Sequence, residues 1–318
     1  MKCKFTGHDT FPLKYGWLYK AAKYISEEGK FPGTSPADME KAVVYLGVGK
    51  NMVKAIQYWS ESVGFTIPYK HDNATKQRLS SRAKYFFDFI DDSNENINHD
   101  KYLEHKGSIW LIHFWLNYNQ DSLTAYRYFF NYVNAQYFDK NIIIDECHGL
   151  ADRVSVGEKI NRTTIKKDFD CFLNTYSKKV KSTSKRGAEV NEDSFSSPLS
   201  ELNLIQEVAG GFFTSNFDMK ETLPIQIFLY SICQFASDYN SESKLNTIEF
   251  DTLLANPFSP GRIFRLNEQG LGAKLDQAQN LTQNKISWID SRGLRQINIA
   301  SELLDHPEQF LEQFYTGL

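Results

Sequence analysis

AVVYLGVGKNMVKAIQYW, running from Ala42 to Trp59, decides how this chain is read. An apolar helix end carrying Val43 and Leu46 meets Gly47, and glycine takes the sharp turn that other residues resist. Val48 follows as an apolar plug. Val53 and Ile56 stand three residues apart, so they share the inner face of a second helix. That phase places Lys50, Asn51, Lys54 and Tyr58 on its outer face. The pattern is that of a helix-turn-helix, whose second helix presents its early residues to the major groove. Lysine meets phosphate or guanine, and asparagine can pair bidentately with adenine. A plain helical hairpin in a bundle is the structural alternative. The embedded GVGK is not a phosphate loop, because Val44 and Asn51 occupy the positions that need glycine and Ser or Thr.

The flanks extend the pattern. KYGWLYKAAKYISEEGK (Lys14–Lys30) places Trp17, Leu18, Ala21, Ala22 and Ile25 at helical spacing and stops at Gly29. Ser35 and Pro36 suit the start of PADMEKAVVYL. Gly64 ends the third helix, and residues 65–87 offer the strands of a wing. Residues 1–90 are therefore expected to form an N-terminal winged helix-turn-helix-like module. A helical module is expected over 91–180, with a polar loop at 91–106 and a buried helix at GSIWLIHFWLNY. An aromatic helix follows, then a basic one capped by Asn161. In that last helix Ile165, Phe169 and Phe172 face inward, and Arg162, Thr163, Lys166 and Lys167 face out. Residues 181–198, serine-rich and charged, read as a flexible linker. A helical and winged module is expected over 199–318. There KISWIDSRGLRQINIA alternates as a hairpin, and Arg262, Arg265, Arg292 and Arg295 are candidate phosphate contacts. The fold class expected is mainly α with small β-hairpins, built of several winged helix-turn-helix-like units.

At 318 residues the chain has room for two or three such modules. No apolar run is long enough to cross a membrane, and MKCKFTGHD does not read as a signal peptide; a cytoplasmic protein is expected. The four cysteines have no CxxC spacing and read as buried thiols. The net charge of −3 hides an uneven distribution: +6 over 1–90, −6 over 91–152, +7 over 153–186 and −10 over 187–318. Two basic islands on an acidic body suggest two surfaces for a polyanion, with double-stranded DNA the natural candidate.

FTGHDTFP, at Phe5–Pro12, sets His8 beside Asp9. Asp9 or Thr10 would cap a helix with Pro12 in its first turn. The catalytic alternative makes His8 a general base with Asp9 orienting it or holding a divalent ion such as Mg²⁺ or Mn²⁺, as phosphodiester hydrolysis commonly uses. Asp145, Glu146 and His148 in DECHG permit metal binding without requiring it. No PD-(D/E)xK nuclease pattern, HNH-like pattern or dense carboxylate cluster stands out.

FTGHDTFPLKYGWL, LGVGKNMVKAIQYW, HKGSIWLIHFWL, EDSFSSPLSELNLI, SPGRIFRLNEQGL and SRGLRQI together resemble the recurrent blocks of the SspB-like family of bacterial DNA phosphorothioation operons, over Phe5 to about Ile297. The resemblance implies DNA modification and phage defence, in which sulfur replaces a non-bridging phosphate oxygen. It implies a nicking endonuclease that opens one strand for sulfur insertion. The partners it implies are a cysteine desulfurase, a PAPS-reductase-like ATP pyrophosphatase and an ATPase. His8 and Asp9 lie in a family block and are the catalytic candidates on that ground. A non-catalytic DNA-binding adaptor, with the acidic C-terminal module for docking, is the first rival. A transcriptional regulator is the second, and it would be a homodimer on a palindromic operator.

Overall fold

The computed structural model describes residues 2–33, 35–71, 74–90, 97–118, 122–155, 159–177, 196–208, 211–243, 245–291 and 293–317. The expected linker at 181–198 and the candidate Arg292 lie outside them, except for residues 196–198; of these Ser197 and Pro198 are buried.

After a short strand β1 (Lys2–Cys3), the apolar spacing read above gives α1 (Trp17–Glu28) a single buried face. Gly29 closes that helix in the left-handed region and returns its amide to the Ile25 carbonyl. Ser35 caps α2 (Pro36–Leu46) by accepting the Asp38 amide, with Pro36 in the first turn. Gly47, at φ 63°, turns the chain into α3 (Lys50–Val63). Val48 is buried in the corner, and Val53 and Ile56 are buried beneath it. Strands β2 (Thr66–His71) and β3 (Ala74–Leu79) then pair antiparallel, with Thr66 opposite Leu79 and Tyr69 opposite Lys76. The Gln77 amide bonds to the Gly29 carbonyl, and its side chain accepts the Phe31 amide, so the hairpin is fixed to the end of α1.

The middle of the molecule is α4 (Lys106–Tyr118), buried all round from Gly107 onward, as its unbroken apolar sequence requires. A short β4 (Ser122–Leu123) pairs in parallel with β1. Next come α5 (Ala125–Tyr132), β5 (Tyr137–Asp139), α6 (Lys140–Val154), α7 (Arg162–Tyr176), β6 (Gln206–Glu207) and β7 (Phe212–Thr214). The C-terminal part contains α8 (Ile225–Tyr239), β8 (Thr247–Glu249), α9 (Phe250–Ala255), α10 (Pro260–Ile263), α11 (Glu268–Leu281), β9 (Ile286–Ser291) and β10 (Leu294–Ile299). The two later sheets have the same strand order, β5-β7-β6 and β8-β10-β9. Helix, strand, helices, hairpin thus occurs twice, and the N-terminal part has the same sequence of elements without the first strand. Helices α12 (Ser301–Asp305) and α13 (Gln309–Thr316) end the chain. A side chain at Gly107 would start 2.2 Å from Phe314, so glycine there lets α13 approach α4. One hydrophobic cluster joins all three parts, from Phe5 to Tyr315. No two of the four cysteines are joined in a disulfide, and Cys147, Cys171 and Cys233 are buried.

The start of α1 differs from expectation. Pro12 lies outside the helix, which begins at Trp17 behind Gly16 in the left-handed region. Neither Asp9 nor Thr10 caps it; both have positive φ, 45° and 65°. The segment from His8 to Gly16 is a tertiary feature rather than a helix cap.

Candidate nucleic-acid interface

Lys50, Asn51 and Lys54 are all exposed on the first turns of α3. Gly49, the residue before the helix, supplies no side-chain cap. The first amides of α3 therefore point outward beside two lysines, an arrangement that favours an anion. Tyr58 does not join them, although it lies on the same side by helical phase. It is 4% exposed. The N-terminal segment crosses the second half of α3 here: Lys4 sits 5.3 Å over the Tyr58 ring, and the His8 ring meets it edge-on at 5.2 Å. A side chain on Gly7 would start 2.7 Å from Tyr58. Burial pushes the Tyr58 hydroxyl well above the usual tyrosine range. The open face of α3 is its N-terminal half.

His8 is 2% exposed. Its Nε2 lies 2.7 Å from Asp168 Oδ1, and its Nδ1 accepts the Thr10 amide at 3.0 Å. The second oxygen of Asp168 accepts the Ala125 amide at 2.7 Å, at the start of α5. Burial opposes an imidazolium at His8; the hydrogen bond to Asp168, with Cys171 nearby, favours it and raises the pKa above the ordinary histidine value. The backbone resists in turn, because a proton on Nδ1 would face the Thr10 amide. In either state the Nε2 proton is committed to Asp168. His8 thus joins the N-terminal segment to α5 and α7, with both ring nitrogens engaged. Asp9, next to it, is exposed.

The second basic island is more heavily engaged. Asn161 caps α7 by accepting the Thr163 amide, and Thr163 and Lys167 are exposed. Arg162 pairs with Asp145 at 2.5 Å, and Lys166 with Asp170 at 2.7 Å. The carboxylates of α6 and α7 thus hold two of the cations expected to face phosphate.

Two of the C-terminal arginines, Arg262 and Arg265, are buried instead of facing solvent. Arg262 is 6% exposed and gives two hydrogen bonds to the Asn131 carbonyl. Arg265 is fully buried and bonds the Val133 carbonyl at 2.6 Å. Both satisfy carbonyls at the end of α5, which a helix leaves without partners of its own. Burial, with Arg262 close by, lowers the Arg265 guanidinium to about 9. Arg295 lies between Asp251 at 2.5 Å and Glu268 at 3.4 Å, over the Phe250 ring.

The sequence reading gives no role to one face of the first hairpin, where Ile67, Tyr69, Lys76 and Arg78 come together. The period-two alternation within TIPYKH is the signal that would have found it.

Among the described residues no group of three or more His, Cys, Asp or Glu side chains is placed to hold a metal. His148 bonds the Ile160 carbonyl at 2.9 Å and Asp145 is held by Arg162, so DECHG forms no cluster. Magnesium typically takes one or two carboxylates and completes its shell with water and substrate phosphates. A protein cage for it is not found among the described residues. Among the described residues no helix is long and apolar enough to cross a membrane.

The chain belongs to the family described as protein of unknown function, DUF4007, whose model matches residues 5–315. Its fold is also that of SspB. Two solved SspB structures, one of them magnesium-ion-bound, match with a TM-score of 0.77 and 26% identity, over 97% of this chain and 87% of theirs. No curated protein matches the sequence.

Proposed function

We propose that this protein is the DNA-binding member of a phosphorothioate modification and phage-defence system, and that it docks duplex DNA through the first turns of α3. The observation that carries this reading is the open face of Lys50, Asn51 and Lys54 around uncapped helix amides, on a chain similar to SspB. The helix–turn–helix–hairpin order of the first 79 residues then acts as a winged helix, with α3 as its recognition helix. Lys50 and Lys54 neutralise phosphates, and Asn51 reads a base edge. Thr163 and Lys167 on α7 extend the backbone contact. Arg262, Arg265 and Arg295 take no part, because carbonyls and carboxylates already occupy them.

Strand nicking is the second reading, and one observation favours it. Asp9 and Thr10 hold successive positive φ angles in an exposed turn, a conformation that costs about 1–3 kcal/mol per residue and often marks functional sites. In this reading Asp9 faces the cut strand and His8 holds the turn in place. The partners are the sulfur-transfer proteins of the operon.

The test is a gel-shift titration at several salt concentrations, beside a supercoiled-plasmid assay with Mg²⁺, Mn²⁺ or EDTA. Salt-sensitive binding lost in Lys50→Ala/Lys54→Ala supports docking through α3; unchanged binding refutes it. Metal-dependent open circles, absent with Asp9→Asn, make the protein a nickase. Intact plasmid with firm binding makes it an adaptor.

A further inference from the structure

The hairpin β2–β3 has two unlike faces. Paired residues in an antiparallel ladder share a face. Thr66, Gln77 and Leu79 lie on one, and it is attached to the body: Thr66 is buried against Ser60 through a 2.8 Å hydrogen bond, and Gln77 holds the end of α1. The opposite face carries Ile67 across from Arg78 and Tyr69 across from Lys76. Ile67 is 39% exposed and Tyr69 38% exposed, and Arg78 is exposed beside them. An aromatic ring and an aliphatic side chain are therefore partly exposed, each across from a cation, on a ladder whose other face is attached to the body at its base through Thr66 and Gln77.

Phosphate contact alone does not explain that composition. Lysine and arginine would suffice, and exposed Ile67 and Tyr69 contribute nothing to neutralising a backbone. Alternating rings and cations are the means by which proteins hold unpaired nucleic acid: bases stack on the rings while cations follow the phosphates. Spacing agrees. Ile67 and Tyr69 are two strand residues apart, about 6.6 Å, roughly twice the 3.4 Å rise of a stacked duplex strand. An extended strand with separated bases matches both positions, and consecutive stacked base pairs do not.

We propose that this outer face, Ile67, Tyr69, Lys76 and Arg78, is a binding site for unpaired single-stranded DNA, with Tyr69 as the stacking platform. It rests on the reading that α3 docks duplex DNA, and deepens it: α3 holds the paired side of a junction and the hairpin holds the strand that has come away from its partner. The protein thereby prefers duplex interrupted by a single-stranded gap, the kind of substrate that strand-opening chemistry produces or consumes.

Fluorescence anisotropy tests this with three labelled probes of common sequence: an intact duplex, the same duplex with a short internal gap, and the single strand. The wild type should bind the gapped duplex more tightly than the intact one. Tyr69→Ala should weaken gapped-duplex binding by roughly 5- to 150-fold, the range for losing one stacked base, and leave the intact duplex unchanged. Tyr69→Phe should retain the preference. Lys50→Ala/Lys54→Ala should weaken both duplexes in proportion, which separates the two sites. Equal wild-type affinity for gapped and intact duplex overturns the proposal, as does a Tyr69→Ala loss equal on both. If the wild type binds neither duplex, docking through α3 is the part that fails. The single strand then decides: binding lost in Tyr69→Ala sustains the hairpin site, and no binding at all refutes it. Ile67→Ala serves as a second variant should Tyr69→Ala melt early.

Discussion

Replacing His8 by alanine separates its two readings. The imidazole and the Asp168 carboxylate are 2.7 Å apart, with side chains 3% and 0% exposed. Removing the ring leaves the carboxylate buried with the Ala125 amide as its remaining hydrogen-bond donor. Breaking a buried pair from one side costs about 3–5 kcal/mol. For a chain of this length each kcal/mol shifts the melting temperature by about 2 °C, so His8→Ala should melt about 6–10 °C below the wild type. Asp168→Asn is milder. Its single carbonyl can serve the Ala125 amide or His8, not both, and the unsatisfied group costs about 1–3 kcal/mol. Calorimetry or a dye-monitored melt gives these shifts, and the plasmid assay is run well below either transition. A His8→Ala protein that melts with the wild type yet has lost all plasmid relaxation would refute the structural role and make His8 a catalytic base.

Further outcomes follow from the same geometry. Lys50→Ala/Lys54→Ala should lower the slope of log affinity against log salt by about 2, close to 0.9 for each phosphate no longer neutralised; an unchanged slope would show that neither lysine reaches DNA. His113 is buried, with Tyr176 at its Nδ1 and the Ile263 carbonyl at its Nε2, and burial lowers its pKa to about 3. The unfolded chain takes this proton first, so stability is complete above about pH 6.5 and falls as pH drops toward 3, by up to about 1.4 kcal/mol per pH unit. Denaturant titrations across that range should show a shallower fall for His113→Gln, and identical curves would exclude His113 as the source. Arg262→Ala should cost about 1.5–3 kcal/mol by removing the charge-assisted bonds to Asn131, without changing DNA affinity; a weakened affinity in a fully folded variant would return Arg262 to the interface.

What was legible in the sequence is what neighbouring residues decide. Ser35 with Pro36, Gly47, Gly64 and the alternation of Ile286 to Ile299 each signal their element within a few positions, and each is found as read. Helical phase puts Tyr58 on the outer side of α3, but the N-terminal segment from Lys4 to His8 covers that side. Arg262 and Arg265 look like surface cations in SPGRIFRL. Only the meeting of α10 with the end of α5 gives them buried carbonyls to satisfy. His8 is ambiguous in the sequence for the same reason, since its partner is 160 positions away. Of the candidate site, the first turns of α3 were readable, and its limits were not.

That distance between His8 and Asp168 has a consequence for synthesis. A ribosome adds roughly 5–20 residues per second, so the 160 positions between the two take roughly 8–32 s to emerge. Through that interval His8 lacks the Asp168 carboxylate, whereas Lys4 can meet Glu61 as soon as α3 has left the tunnel. The edge of the His8 ring against Tyr58 is then not yet fixed by its carboxylate. His8, among the first residues to be made, therefore meets its buried partner only once α7 has appeared.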